Sequence, residues 1–227
     1  MFVAELRYIQ SIREVREFRN PDAWVKRFIP TLRRWRCAWL SRHKLANLRA
    51  DPFYYYLLAR TEYYDRVFLD AISDNVRFIV NVGCGTDTRP YRFKDVLEQK
   101  GIKVLECDQP AAIAQKVELI RRQGSFDHVA YMSLNLNSAA WPEFETWLSG
   151  NRTGKGLVFM EGVSPYVNSD TFGRFLCLLA RELLPGSRVA YDFKISGVND
   201  DFGRIGQTHQ PFRLPAERKE VADYHKK

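Results

Sequence analysis

The sequence predicts an α/β fold, a mostly parallel sheet following an N-terminal helical lobe, and three observations carry that prediction. After residue 75, five short runs rich in β-branched and aromatic residues alternate with helix-like segments, as a parallel sheet with crossover helices requires. The first 60 residues lack such runs. Instead Trp24, Phe28, Leu32, Trp35 and Trp39 recur every three or four positions, the period of one helix face. Finally, the apolar stretch 76–82 ends abruptly at Gly83 and Gly85, as a buried strand does when it delivers the chain into a tight turn.

In chain order, residues 1–75 form the expected helical lobe, with Pro30 breaking or kinking its aromatic run and the tryptophans packed in a core. Residues 76–227 form the sheet domain. Its strands are expected at 76–82, 102–107, 128–133, 157–161 and 188–193, and its helices at 91–99, 111–122, 141–148 and 171–184. Ser169 and Asp170 offer caps for the last helix. Gly203, Gly206, Pro211 and Pro215 make the region after Lys194 loop-rich, and a short polar helix follows Pro215.

At 227 residues and 45% hydrophobic content, the chain suffices for one well-buried domain with an appended lobe. No stretch reaches the roughly 18 uncharged apolar residues of a membrane span, and Glu5 and Arg7 precede any signal-peptide core; a soluble, cytoplasmic protein is expected. Cys37, Cys84, Cys107 and Cys177 contain no CxxC pair and are expected as buried thiols. Four histidines are scattered without ligand spacing, so no metal site is expected. The net charge of +8 is all N-terminal: residues 1–60 hold 13 Lys/Arg against 5 Asp/Glu, and the remainder balances at 22 against 22. Such a segment suits an acidic protein, a nucleic acid or an anionic membrane face, or is a solvated helix face whose arginines clamp an anionic ligand.

Ligands of open α/β sheets bind beyond the carboxyl ends of the strands, so residues 83–89, 106–108, 135–136 and 161–166 form one candidate set. Asp108 ends the second strand, 25 residues after Gly83, where a carboxylate can accept hydrogen bonds from both hydroxyls of a ribose. Asn135 follows the third strand and could hydrogen-bond an adenine amine. The turn departs from GxGxxG, because Thr86-Asp87-Thr88 follows Gly85. An acid at position 87 repels a pyrophosphate but suits a sulfonium cation, which points to S-adenosylmethionine as the cofactor.

Several ordered motifs then resemble those of the leucine carboxyl methyltransferase-like group of class I S-adenosylmethionine-dependent methyltransferases. Asn81-Val-Gly-Cys-Gly-Thr-Asp-Thr-Arg-Pro-Tyr-Arg-Phe93 is similar to the family's L-G-x-G-x-D-T-R-x-x-R loop, and Glu106-Cys-Asp-Gln-Pro110 with Lys116 to its E-x-D-x-P and lysine. Asn135-Leu136 ahead of Trp141 resembles its D-L segment, Glu161-Gly-Val-Ser-Pro-Tyr166 its E-G-V-x-x-Y, and Ala59-Arg-Thr-Glu-Tyr-Tyr-Asp65 its A-R-T-x-x-x-D helix. The resemblance implies a Rossmann-like domain in which Arg60 pairs with the methionyl carboxylate and Gly83, Gly85 and Asp87 line the methionyl end. It further implies Asp108 on the ribose, Asn135 and Leu136 at the adenine, and Glu161 near the cofactor amino group. Tyr166 would face the methyl acceptor, and Arg60, Arg89 or Arg92 could orient an anionic one.

Two departures qualify the resemblance. Asn135 stands where the family commonly has aspartate, keeping an acceptor oxygen but losing the charge. Family members also usually continue past a helix like residues 214–225 into further strands of a seven-stranded sheet, whereas this sequence stops at Lys227. The C-terminal strands are therefore expected to be missing, leaving an edge for another segment or an oligomeric partner to cover. The activity implied is O-methylation of a carboxylate, on a small molecule or a protein, or of a small-molecule hydroxyl. Transfer RNA modification is the alternative that the resemblance, which includes members acting on transfer RNA, implies together with the basic lobe, and a noncatalytic cofactor-binding module is the one that the short terminus suggests.

Overall fold

The computed structural model describes residues 2–197 and 212–226, leaving out the side chain of Phe2. The chain divides into two compact units, one of Met1–Asn75, Gly85–Ile102 and Ala114–Val129, the other of Val76–Cys84, Lys103–Ile113 and Ala130–Lys227.

The second unit holds the sheet. Strands β1 (Phe78–Val82), β2 (Lys103–Asp108), β3 (Val129–Ser133), β4 (Gly156–Met160) and β5 (Arg188–Tyr191) lie in the order β3-β2-β1-β4-β5. β1 runs parallel to β2, from Phe78 opposite Lys103 to Val82 opposite Cys107, and parallel to β4 on its other side; β4 and β5 are parallel as well. The α/β, parallel-sheet expectation is met, each strand lying within two residues of its expected bounds. Continuous burial of β1 and β4 explains why they read as unbroken apolar runs: strands at the centre of a parallel sheet are covered on both faces.

The core of this unit joins Val80, Val82, Leu105, Val158 and Met160 of the sheet to Phe144 and Leu148 of α7 (Pro142–Gly150) and Phe172, Phe175 and Leu179 of α8 (Ser169–Glu182). The three- and four-residue spacing on α8 brings these residues onto one face. Asn168 caps α8, its side chain accepting from the Asp170 N–H, so the cap lies one residue before the expected Ser169. A two-stranded parallel ladder of β6 (Lys194–Ile195) and β7 (Arg213–Leu214) was not legible in the sequence. The expected helix 111–122 is present as α6 (Pro110–Arg121) and the short polar helix as α9 (Arg218–Tyr224); Gly203, Gly206 and Pro211 lie outside the described residues.

The first unit contains α1 (Phe2–Arg13), α2 (Thr31–Ala50) and α3 (Pro52–Ser73). Pro30 does interrupt the aromatic run, standing between a 3-10 segment, Ala23–Phe28, and the start of α2. Asp51 caps α3 by accepting from the Phe53 N–H, with Pro52 in the first turn, where its missing N–H costs nothing. Glu14 locks the helices together: Arg49 donates two hydrogen bonds to its carboxylate and the Tyr54 hydroxyl a third. The hydrogen bond from Arg49 is the main reason its pKa lies below the usual carboxylate value.

Two expectations for this unit are corrected. The predicted helix 91–99 is broken into α4 (Arg89–Arg92) and α5 (Lys94–Gln99) at Phe93, whose backbone leaves helical geometry while its ring stacks on Phe68. The expected core role of the tryptophans holds only for Trp24, which stacks on Tyr91 and meets Phe28 and Phe126 edge to face. Trp35 and Trp39 are 75% and 62% exposed, and Leu32 is 84% exposed; periodicity identified one helix face but not the side of the helix that is buried.

Candidate functional site

In the second unit the site begins where β1 ends. The N–H groups of Gly83 and Cys84 both donate to the Cys107 carbonyl, at 2.8 and 3.0 Å, curling the turn over the end of β2. Gly83 has φ +72°, and a Cβ placed there would lie 2.3 Å from Cγ2 of Val163. Only glycine satisfies both the left-handed backbone and the close approach of the segment that follows β4.

That segment is itself anchored. The Gly162 N–H donates to the Asp192 carboxylate at 2.7 Å, and the Ser164 hydroxyl donates to the Asp192 carbonyl at 2.6 Å. Asp192 was missed in the sequence because the strand-end reading stopped at the fourth strand; the same rule applied to the fifth would have found it.

Asp108 closes β2, its side chain accepting from the Gln109 N–H at 2.7 Å while its carbonyl accepts from Leu134 at 2.8 Å. Glu106, two residues earlier, shares its strand face and is fully buried; Asn81, opposite it on β1, is buried as well. Asn135 is exposed, but its Oδ1 already accepts from Gln109 Nε2 and the Asn137 N–H. The side-chain amide nitrogen is therefore the group through which Asn135 can meet a ligand, rather than the acceptor oxygen. Leu136 is buried in the core, so its backbone, not its side chain, is available. Glu161 directly follows β4 and is partly exposed, and Tyr166 is exposed with its carbonyl fixed by Asn137 Nδ2.

The loop continues into the first unit, where the Asp87-Thr88-Arg89 extension is buried. Arg89 donates through its backbone N–H and Nη1 to the two oxygens of Asp87, through Nε to Asp65 and through Nη2 to the Thr61 carbonyl. Arg92 also grips Asp65. Thr88 donates to Asp22, which pairs with Arg7, and Arg7 donates to both oxygens of Thr86. Arg89 is only 1% exposed, so the geometry makes it a residue that positions Asp87 and the loop. Gly85, at φ +39°, is the exposed bend between the two parts.

Opposing influences act on the Asp87 carboxyl. Burial pushes its pKa up, but the charges of Arg89, Lys116 and Arg7, with the Arg89 N–H, hold it below the ordinary carboxylate range. Ionised Asp87 therefore stabilises the fold above the unfolded carboxylate value of about 4, and that contribution is lost as pH falls through the lowered folded value. The urea midpoint is expected to drop as the solution is taken below about pH 4, and Asp87→Asn to flatten the drop. A variant with the parent's acid profile would show that Asp87 is not the group responsible.

Arg60 is partly buried, with its guanidinium 5.4 Å from the Tyr56 ring centroid. Nearby on the same helix, Asp65 is held by Arg89 and Arg92, and Glu62 pairs with Arg66. Cys37, Cys84 and Cys107 are buried as expected, whereas Cys177 is exposed. Among the described residues, no group of three or more His, Cys, Asp and Glu is arranged to hold a metal, and no helix is long and apolar enough to cross a membrane.

A glycine turn beside acid-bearing strand ends on a parallel sheet defines an open α/β protein of the kind that binds ligands beyond its strands. The family model for leucine carboxyl methyltransferase matches residues 1–179, and the chain belongs to that family. It is 28% identical over 146 residues to a Mycobacterium avium protein provisionally named an S-adenosyl-L-methionine-dependent methyltransferase, covering 63% of this chain and 45% of that protein. A protein of Mycobacterium sp. (strain KMS) with the same provisional name is 27% identical over 169 residues, covering 72% and 52%. The chain thus spans about half the length of the curated relatives it matches. Among solved structures, the SAH-bound Podospora anserina methyltransferase PaMTH1 aligns at a TM-score of 0.45 and 14% identity, over 76% of this chain and 62% of that one.

Proposed function

We propose that this protein is an S-adenosylmethionine-dependent methyltransferase acting on a carboxylate oxygen. The observation that carries the proposal is the pairing of Gly83 with Asp108 at the ends of adjacent parallel strands, Val82 lying opposite Cys107 in register. Gly83 turns the chain sharply at the end of β1 with φ +72°, and Asp108 presents a carboxylate at the end of β2, where a ribose can be held. Glu161, after β4, is the proposed partner of the cofactor amino group, and the Asn135 amide nitrogen and Leu136 backbone are the proposed adenine contacts. Arg60 and the loop residues Gly85 and Asp87 are carried over from the family motifs as further cofactor contacts, Asp87 acting as a fixed negative charge.

When bound, S-adenosylmethionine supplies an electrophilic methyl group on a sulfonium centre, with a neutral thioether as the leaving group. The protein's task is then to position an oxygen and exclude competing geometries. A carboxylate is already nucleophilic and needs no general base, which suits strand ends that, among the described residues, bring no histidine to the site. Tyr166, exposed beside the Gly162–Val163 segment in sequence, is the proposed hydrogen-bond donor to the acceptor. Arg89, given over to Asp65 and Asp87, acts by holding the loop.

Calorimetric titration with S-adenosylmethionine tests the assignment. The intact chain is expected to bind, and Asp108→Ala to weaken binding by about tenfold or more, the loss of a charge-assisted hydrogen bond being about 1.5–3 kcal/mol. Absence of binding by the intact chain, or unchanged binding by the variant, would sink the site. Incubation with labelled cofactor and cell extract, followed by a base-lability test, then distinguishes a methyl ester from an ether.

A further inference from the structure

The outer face of α2 carries an apolar row that the proposed chemistry does not use. Leu32, Trp35 and Trp39 are among the most exposed large hydrophobic residues of the chain. Cys37 and Ser41 on the opposite face are buried. At 100° per residue, Leu32, Trp35, Trp39 and His43 fall within a narrow outward arc, and the rings of Trp39 and His43 lie 5.2 Å apart. Arg36 flanks the arc on one side and Arg42 on the other, both exposed. Residues 31–50 contain six Lys/Arg and no Asp or Glu.

We propose that this face of α2 docks on an anionic lipid surface, laying the Leu32, Trp35 and Trp39 row into the headgroup boundary while Arg36 and Arg42 meet lipid phosphates and carboxylates. A helix with tryptophan and leucine on one side and arginines beside them is suited to lie in the plane of such an interface. The exclusion of acidic residues from the whole helix supplies the charge complementarity. A second copy of the chain is disfavoured as the occupant, because its identical helix would oppose cations with cations. Nucleic acid accounts for the arginines and tryptophans but gives Leu32, the most exposed of the three, no stacking partner.

Sedimentation of the full chain with vesicles tests this. The protein is expected to bind vesicles of phosphatidylcholine mixed with phosphatidylserine, to ignore phosphatidylcholine alone, and to release as salt rises. Arg36→Gln and Arg42→Gln should each weaken binding about fivefold, and Trp35→Ser with Trp39→Ser at least about tenfold. Because these side chains are exposed, the circular dichroism spectrum and melting temperature of the variants should match the parent. Failure of the parent to bind the mixed vesicles, or undiminished binding by the tryptophan variant, would overturn the proposal. So would polyuridylate binding or self-association that is lost in the tryptophan variant while the parent ignores vesicles.

Discussion

Replacing Arg89 with methionine is expected to destabilise the protein by about 3–5 kcal/mol, the range for removing one partner from a buried ion pair. The guanidinium is fully enclosed and makes 2.7 Å contacts with both Asp65 and Asp87. Its loss leaves Asp87 without its nearest cation, while Asp65 keeps Arg92. Removing an uncompensated charge should therefore recover part of the loss: Arg89→Met with Asp87→Asn is expected to be more stable than Arg89→Met alone. Urea denaturation of the parent and the two variants measures this directly. A cost for Arg89→Met below about 1 kcal/mol, the scale of an exposed pair, would mean that the loop does not depend on the network.

Gly83→Ala is expected to lower both stability and cofactor affinity, for two separable reasons. The left-handed backbone at φ +72° costs an L-residue about 1–2 kcal/mol. The new methyl would also collide with Val163 Cγ2 at 2.3 Å, a contact that a short β-branched side chain cannot easily relieve. Trimming Val163 to alanine removes the colliding atom and leaves the nearest remaining one, its Cβ, at an ordinary 3.5 Å. The double variant should thus regain the steric part and keep only the backbone part. If Val163→Ala gives no recovery in a thermal melt, the segment after β4 is not what confines Gly83.

Much of the architecture was readable because burial on both faces makes parallel strands apolar without interruption, as in β1 and β4. The position of Asp108 was readable too, since a strand end followed by a helix start is marked by the change in period. Partners distant in sequence were not readable. Arg7 meets Thr86 across 79 positions and Thr88 meets Asp22 across 66, and no local pattern records such pairings. The Asp-Thr-Arg sequence was therefore legible as a special loop, but the division of labour within it, with Arg89 turned inward, was not. Trp35 and Trp39 show a different limit. A period of 3.6 marks a face, and the choice of which face to bury belongs to the neighbours that helix meets.

The buried charge network also bears on when the glycine loop can take shape. Arg7, Asp22, Asp65 and residues 86–92 come from four separate stretches of chain, and every one must arrive before the charges compensate one another. Until then each is better left in water than brought partway inside. Loop closure over such separations delays these contacts relative to helix formation. The turn at Gly83–Arg89 is accordingly expected to order late, because beyond its internal Asp87–Arg89 contact its partners come from distant stretches of chain, and a short peptide with the same motif is expected not to hold its form.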